Sequence, residues 1–338
     1  MAAAQPGRSG HGSRLLGSHV VDVGLALPQY DYPVPGVPAT TWETVAGSAQ
    51  AAERLGFSSL WLADHISMGI ERYGGPPGEF RGVDPITGLS ALSRITSTIT
   101  LGTLVCCCQL RPVTVLAKQL AGIDLLSGGR LVVGMGAGWH EPDYIAAGVP
   151  FLSAGRRLQE LSAAVDALRI VWRGDPGAPP CHPPPVQVGG PPVWIGGRGD
   201  RLLEVVARHA DGWNMVWVAT VDAYRQRVAV LERACGRVDR DPATVTRSRG
   251  LFTLVGEDEA DLRRRFERLR RQVPTGVLDG TSLEEWRTGR LVGSVDQVRE
   301  QIDEWGALGV THLVVGLGAV PFQGTSLDDI EMVASACR

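Results

Sequence analysis

A single lysine, Lys118, stands against 32 arginines, a bias that reflects GC-rich coding more than function. Long apolar runs are missing as well: none approaches the roughly 20 residues of a membrane-spanning helix. The opening MAAAQPGRSGHGSRLLGS, residues 1 to 18, holds no continuous apolar stretch of the secretory kind. Neither sign of charge dominates. A net charge of −3 gives no bulk attraction to nucleic acid or to a membrane surface. The six cysteines form no CxxC pair and no two histidines lie at zinc spacing, which speaks against a metal site. These absences leave a soluble globular protein, expected in the cytoplasm with its thiols reduced. Residues 1 to 18 are expected to be a disordered lead-in, and residues 19 to 338 one folded domain.

What the chain does hold is 44% hydrophobic residues, enough for a sizeable core, laid out as alternating strand-like and helix-like stretches. Val20 to Leu27 reads as strand one and Thr41 to Leu55 as the helix after it, with Thr40 and Glu43 as a capping box. Strand two is Ser59 to Ala63, Asp84-Pro85 opens the next helix, and strand three is Ile99 to Val105. Val113 to Leu126 is a helix stopped by Ser127-Gly128-Gly129. Strand four, Arg130 to Met135, leads to a long helix at Gly155 to Trp172. Residues 173 to 192 (RGDPGAPPCHPPPVQVGGPP) are too rich in proline and glycine for regular structure and form an excursion, with Cys181 and His182 as plain loop residues. Strands five to eight are Val193 to Ile195, Gly212 to Val216, about Ser248 to Val255, and Thr311 to Val315; Ser294 and Gln297 make a second capping box before the last. Eight strand–helix units predict a closed α/β TIM barrel, (β/α)8, whose chemistry sits just past the strand ends.

One such end, LVVGMGAGWHEPDY at residues 131 to 144, raises the dinucleotide fingerprint G-x-G-x-x-G. The sixth position is Trp139 and the segment follows strand four rather than opening a βαβ unit, so that reading is set aside. The glycines then have two explanations: backbone bared so that a flat ring can lie against it, or a crowded turn with no ligand.

With these residues in view, a resemblance becomes plain. LGFSSLWLADH (55 to 65), the stretch from Leu101 to Tyr144, PVWIGGRGDRLLEVVARHADGWN (192 to 214) and GSVDQVREQIDEWGALGVTHLVV (293 to 315) resemble the bacterial luciferase-like superfamily, and within it the oxidoreductases that use the deazaflavin coenzyme F420. The resemblance runs in order from about residue 20 to 320. It implies a barrel with a planar deazaflavin or flavin at its mouth and a hydride exchanged with a small organic substrate. It also implies a separate reductase to supply reduced cofactor and, by family habit, a homodimer. An FMN-dependent two-component monooxygenase and a non-catalytic flavin-binding protein are the alternatives.

Carried over residue by residue, the resemblance puts Asp64 and His65 beside the reactive ring. His65 is then the first candidate for the proton-handling group, the alternative being a hydrogen-bonded histidine that merely closes the strand. Leu104-Val105 matches the position of a non-prolyl cis peptide behind the ring, and Cys107 is the member of the cysteine triplet nearest it. Gly136, Ala137, Gly138 and Trp139 match the segment that lines the ring. Gly196, Gly197 and Arg198, opening a helix, match the cofactor phosphate site. Sugar-phosphate dehydrogenases of the family carry an acid where this chain has Trp139, which argues against a sugar phosphate and leaves His65, His140 and Glu141, in that order, as proton donors. Trp139, Tyr30 and Tyr144 are expected to wall the substrate. The arginine-rich run at residues 261 to 272 could clamp an acidic coenzyme tail, but alternating charge at helical spacing favours a solvated helix face.

Overall fold

The computed structural model describes residues 21–34, 38–324 and 326–338, so the expected lead-in lies outside the described residues. In chain order the elements are β1 (Asp22–Ala26), α1 (Trp42–Leu55), β2 (Ser59–Leu62), α2 (Pro85–Ile95), β3 (Thr100–Thr103), β4 (Cys106–Cys107), α3 (Val113–Ser127), β5 (Leu131–Gly136), α4 (Glu141–Ala147) and α5 (Ala154–Arg173). They continue with β6 (Val193–Gly196), α6 (Asp200–His209), β7 (Gly212–Met215), α7 (Val221–Gly236), β8 (Thr246–Gly256), α8 (Glu259–Arg271), α9 (Leu283–Arg287), β9 (Leu291–Ser294), α10 (Val295–Ala307), β10 (His312–Gly316) and α11 (Leu327–Ala336). All strand pairings are parallel. The staves run β10-β1-β2-β3-β5-β6-β7-β8, and β10 pairs with β8 as well as β1, which closes the barrel. Two short strands stand outside the ring of staves, β4 on β5 and β9 on the end of β8.

Inside the barrel, two indoles do the filling. Trp61 and Trp194 stack with centroids 5.2 Å apart, and His312 packs edge-on against both. A Cβ added to Gly24 or Gly102 would overlap Trp61, and one added to Gly212 would overlap Trp194, so small residues on three staves make room for large ones on two others. Hydrogen bonds join the Trp61, Ser59 and His312 side chains of this layer. Trp61 Nε1 donates to Ser59 Oγ at 2.7 Å, and the Ser59 hydroxyl shares a second hydrogen bond with His312 Nε2 at 2.8 Å. Burial lowers the His312 pKa to about 4, so the ring is neutral at ordinary pH.

Local signals place the helices. Asp84 caps α2 with Pro85 in its first turn, Gly128 ends α3 at φ 69°, and Ser294 with Gln297 forms the expected box on α10. The first cap differs: Thr41, not Thr40, accepts from Thr44 N, while Thr40 Oγ1 donates to Tyr30 O. The excursion after α5 has no helix or strand, and it is pinned by buried Asp124, which accepts from Val186 N, Gln187 N and Gln187 Nε2. The arginine-rich run is not simply solvated. Arg265 is buried and pairs with Asp261 and Asp328, and Arg268 reaches Asp329, so α8 is bound to the start of α11 by the chain's own acids. Among the described residues no helix is long and apolar enough to cross a membrane.

Candidate active site

The C-terminal mouth of the barrel opens into a cavity of about 730 Å³, a size that suits a cofactor or drug-sized ligand. The end of β2 contributes Asp64 and His65, and the turn after β3 contributes Leu104 and Val105, joined by a cis peptide as expected; Cys107 follows in β4. The β5 end adds Gly136, Ala137, Gly138 and Trp139, and the β6 end Gly196, Gly197 and Arg198. Tyr144 reaches the same cavity from α4. Three residues singled out in the sequence are not on its wall. Tyr30 is buried against Tyr32 and Phe322, because the chain after β1 turns back under the rim. His140 caps α4 and turns its Nε2 to Glu79 Oε2 at 3.0 Å, and Glu141 points to solvent from the first turn of that helix.

His65 is held by a residue the sequence reading passed over. Its Nδ1 lies 2.6 Å from Asp143 Oδ2, and Asp143 Oδ1 accepts from Ile66 N at 2.8 Å and Ser67 N at 3.2 Å. Asp143 is therefore a buried carboxylate with three donors, two of which fix the loop that carries His65. A carboxylate only accepts, so Nδ1 carries the proton and Nε2 faces away with no protein partner among the described residues. Trp139, 44% exposed, stands edge-on to the His65 ring at 5.4 Å and is covered by the Arg72 guanidinium at 4.6 Å. Asp64 has a different task. Its Oδ2 accepts from Arg111 Nη1 at 2.6 Å and Cys107 N at 3.1 Å, tying the β2 end to β4. Burial pushes this carboxyl up, against the opposing pull of Arg111.

The glycines are explained mainly by crowding. A Cβ on Gly136 or Gly196 would run into Val105, one on Gly134 into the Thr103 carbonyl, and one on Gly138 into the Tyr144 hydroxyl and Cys107 Sγ. Gly138 also has φ 70°, open to glycine at little cost. These glycines let the turn after β3 lean onto β5 and β6, and they carry Tyr144, whose hydroxyl donates to Gln109 Oε1 or Ala137 O. At Gly134, Gly136 and Gly138 crowding accounts for the missing side chain, and it is Val105 that faces the cavity over Gly136 and Gly196. The cysteines alternate as strand geometry requires: Cys106 and Cys108 in the core, Cys107 on the cavity.

Two features could hold a planar cofactor with a phosphate. Asn214, nine-tenths buried or more, donates through Nδ2 to Ser248 Oγ at 2.8 Å while its Oδ1 has no partner among the described residues, leaving a buried acceptor on a residue of the cavity wall. Next to it the loop after β6 opens α6, whose first-turn N–H groups have no intrahelical partner. The Gly197 N–H is not among the free ones, since it donates to Asn214 O, and Asp200 at the helix start is neutralised by Arg227. Sequence reasoning also missed the second non-prolyl cis peptide, Val216–Trp217, and the far wall built by Val277, Leu278, Trp286, Arg290 and Phe322, for which no motif stood out.

The closed parallel barrel and its mouth cavity together define a (β/α)8 protein with polar groups gathered at the ends of β2, β5, β6 and β7. The chain belongs to the luciferase-like monooxygenase family, whose model matches residues 25–312. It is similar to the phthiodiolone/phenolphthiodiolone dimycocerosates ketoreductase of Mycobacterium tuberculosis, 27% identical over 237 residues, 63% of this chain and 62% of that one. It spans 62% to 66% of the length of the curated relatives it matches. Its fold is shared with the coenzyme F420-dependent tetrahydromethanopterin reductase of Methanopyrus kandleri (TM-score 0.70, 19% identity, 93% of this chain and 97% of that one). The monooxygenase RslO1 of Streptomyces bottropensis has it too (TM-score 0.72, 21% identity, 93% and 98%).

Proposed function

We propose that the protein is an oxidoreductase that exchanges a hydride between coenzyme F420 and a small organic substrate other than a sugar phosphate. The observation that carries the reading is the His65–Asp143 pair, with Nε2 of the histidine unpartnered at the wall of the mouth cavity. The bound deazaflavin supplies the hydride chemistry. The chain supplies its seat: Asn214 Oδ1 as acceptor for a ring N–H, the start of α6 with Arg198 for the phosphate, and Val105 as the apolar floor. It also handles the proton. With Nδ1–H committed to Asp143, Nε2 takes a proton from a substrate hydroxyl or returns one to a carbonyl, and the Asp143 carboxylate stabilises the charged ring meanwhile. Trp139 occupies the position at which an acidic proton donor would serve a sugar phosphate, and it adds an apolar edge instead.

A separate reductase that supplies reduced coenzyme and a cytoplasmic setting belong to the same proposal. So does a homodimer, whose interface would cover the exposed apolar residues Val115, Leu125 and Leu126 of α3; sedimentation equilibrium tests it. The test of the catalytic assignment is His65→Gln. Turnover is expected to fall by about 100-fold or more, the usual contribution of a positioned acid–base group, with coenzyme affinity changed less than about threefold. Undiminished turnover removes His65 from the role.

A further inference from the structure

The charges around the cavity do not balance. Its two acids are both engaged, Asp64 with Arg111 and Asp143 with His65, whereas three arginines on its wall, Arg72, Arg198 and Arg290, have no carboxylate within ion-pair distance among the described residues. Arg72 stacks on Trp139, and Arg198 is exposed beside α6. Arg290 also lies over an indole, its guanidinium carbon 5.2 Å from the Trp286 ring centroid, but it too lacks a carboxylate. Of its nitrogens only Nη1 has hydrogen-bond partners among the described residues, donating to Trp286 O at 2.8 Å and Thr288 O at 3.0 Å, while Nε is buried without one. An arginine in a protein stays charged, so this half-buried guanidinium keeps its Nη2 unpaired among the described residues, in an apolar setting. Val277, Leu278, Trp286 and Phe322 make up that setting.

We propose that Arg290 is the anion subsite for the substrate, and that the substrate class is a small organic carboxylate with an apolar or aromatic body. A carboxylate oxygen accepts a charge-assisted hydrogen bond from Nη2, and the two carbonyls on Nη1 hold the guanidinium in place before the ligand arrives. The far wall gives the body its contacts. Arg290 follows β8, the stave on the opposite side of the ring from β3, so a ligand anchored there extends across the mouth toward the side that carries His65 and Val105. The inference deepens the oxidoreductase reading and rests on it for the identity of the other occupant.

Calorimetric titration of the full chain, with coenzyme F420 present at saturation, tests the subsite with phenylacetate and its neutral isostere phenylacetamide as probes. The acid is expected to bind at least about tenfold more tightly than the amide, the worth of one charge-assisted pair. Arg290→Gln should erase that preference and Arg290→Lys retain part of it, both folding as judged by unchanged melting and binding F420 within about twofold of the parent. Equal binding of acid and amide by the parent overturns the proposal, as does an acid preference that survives in Arg290→Gln. A loss of F420 affinity in Arg290→Gln also overturns it, since the guanidinium then serves the coenzyme's own acidic tail. If F420 does not bind at all but the acid preference and its dependence on Arg290 persist, the subsite stands and the coenzyme assignment falls.

Discussion

Replacing Asp143 by asparagine keeps the size of the side chain and changes only what it can offer. In the parent, one carboxylate oxygen serves the amides of Ile66 and Ser67 and the other takes the Nδ1–H of His65 at 2.6 Å. An asparagine has a single acceptor oxygen, and the two backbone N–H groups claim it, leaving the NH2 against Nδ1. The imidazole must then accept at Nδ1 and carry its proton on Nε2, which turns the group facing the cavity from acceptor to donor. The lost charge-assisted bond is worth about 1.5–3 kcal/mol, so turnover should fall about ten- to a hundredfold from this term alone. The wrong tautomer adds to the loss. The direct assay is the 15N spectrum of the His65 ring: an Nδ1–H tautomer in the parent and Nε2–H in Asp143→Asn, with Asp143→Glu restoring the first. Coenzyme affinity should stay within about threefold. The same tautomer in parent and Asn variant, or an equal loss of activity in Asp143→Glu and Asp143→Asn, would refute the reasoning.

Three further outcomes follow from the packing. Gly138→Ala places a Cβ on the Tyr144 hydroxyl at a φ of 70°, and left-handed strain with overpacking should cost about 2–4 kcal/mol in urea unfolding; a loss below about 0.5 kcal/mol contradicts the crowding account. His312 binds fewer protons folded than unfolded between its ordinary pKa and about 4, so its contribution is complete above pH ~6.5 and is lost as pH falls toward 4, by about 3 kcal/mol in all. His312→Asn should flatten that part of the stability–pH curve, and an unchanged slope counts against it. Arg249, fully buried, donates to the carbonyls of Met215, Gly250 and Trp217, so Arg249→Leu should destabilise by about 3 kcal/mol and shift the near-ultraviolet dichroism of Trp217; an unchanged spectrum would mean that the arginine does not position the β7 end.

The barrel was legible because the staves carry short apolar runs and several helices their own caps; Asp84-Pro85, Ser127-Gly128 and Ser294 with Gln297 state their boundaries locally. The near side of the site was legible for the same reason, since Asp64, His65, Leu104, Val105 and the Gly136–Trp139 segment sit at strand ends that could be counted off. What the sequence hides is contact between distant segments. Asp143 meets His65 across 78 positions, and nothing in EPDY distinguishes it from the solvent-facing Glu141 until α4 is placed against the β2 loop. Arg290 lies beyond β8 in a stretch with no periodic signature, interrupted by the short α9 and β9. The glycines were visible but not their reason: Val105 and Tyr144, which claim the space, come from other segments of the chain.

Titration of the purified chain with coenzyme F420 and, separately, with FMN, followed by the fluorescence of each, bears most directly on the central claim. The account predicts saturable quenching with F420 at one equivalent per chain, weaker or absent binding of FMN, and loss of F420 affinity when the buried acceptor is removed in Asn214→Ala. Tight FMN binding without F420 binding would transfer the site to flavin chemistry, and silence with both would contradict the claim that the mouth cavity is a redox-cofactor site.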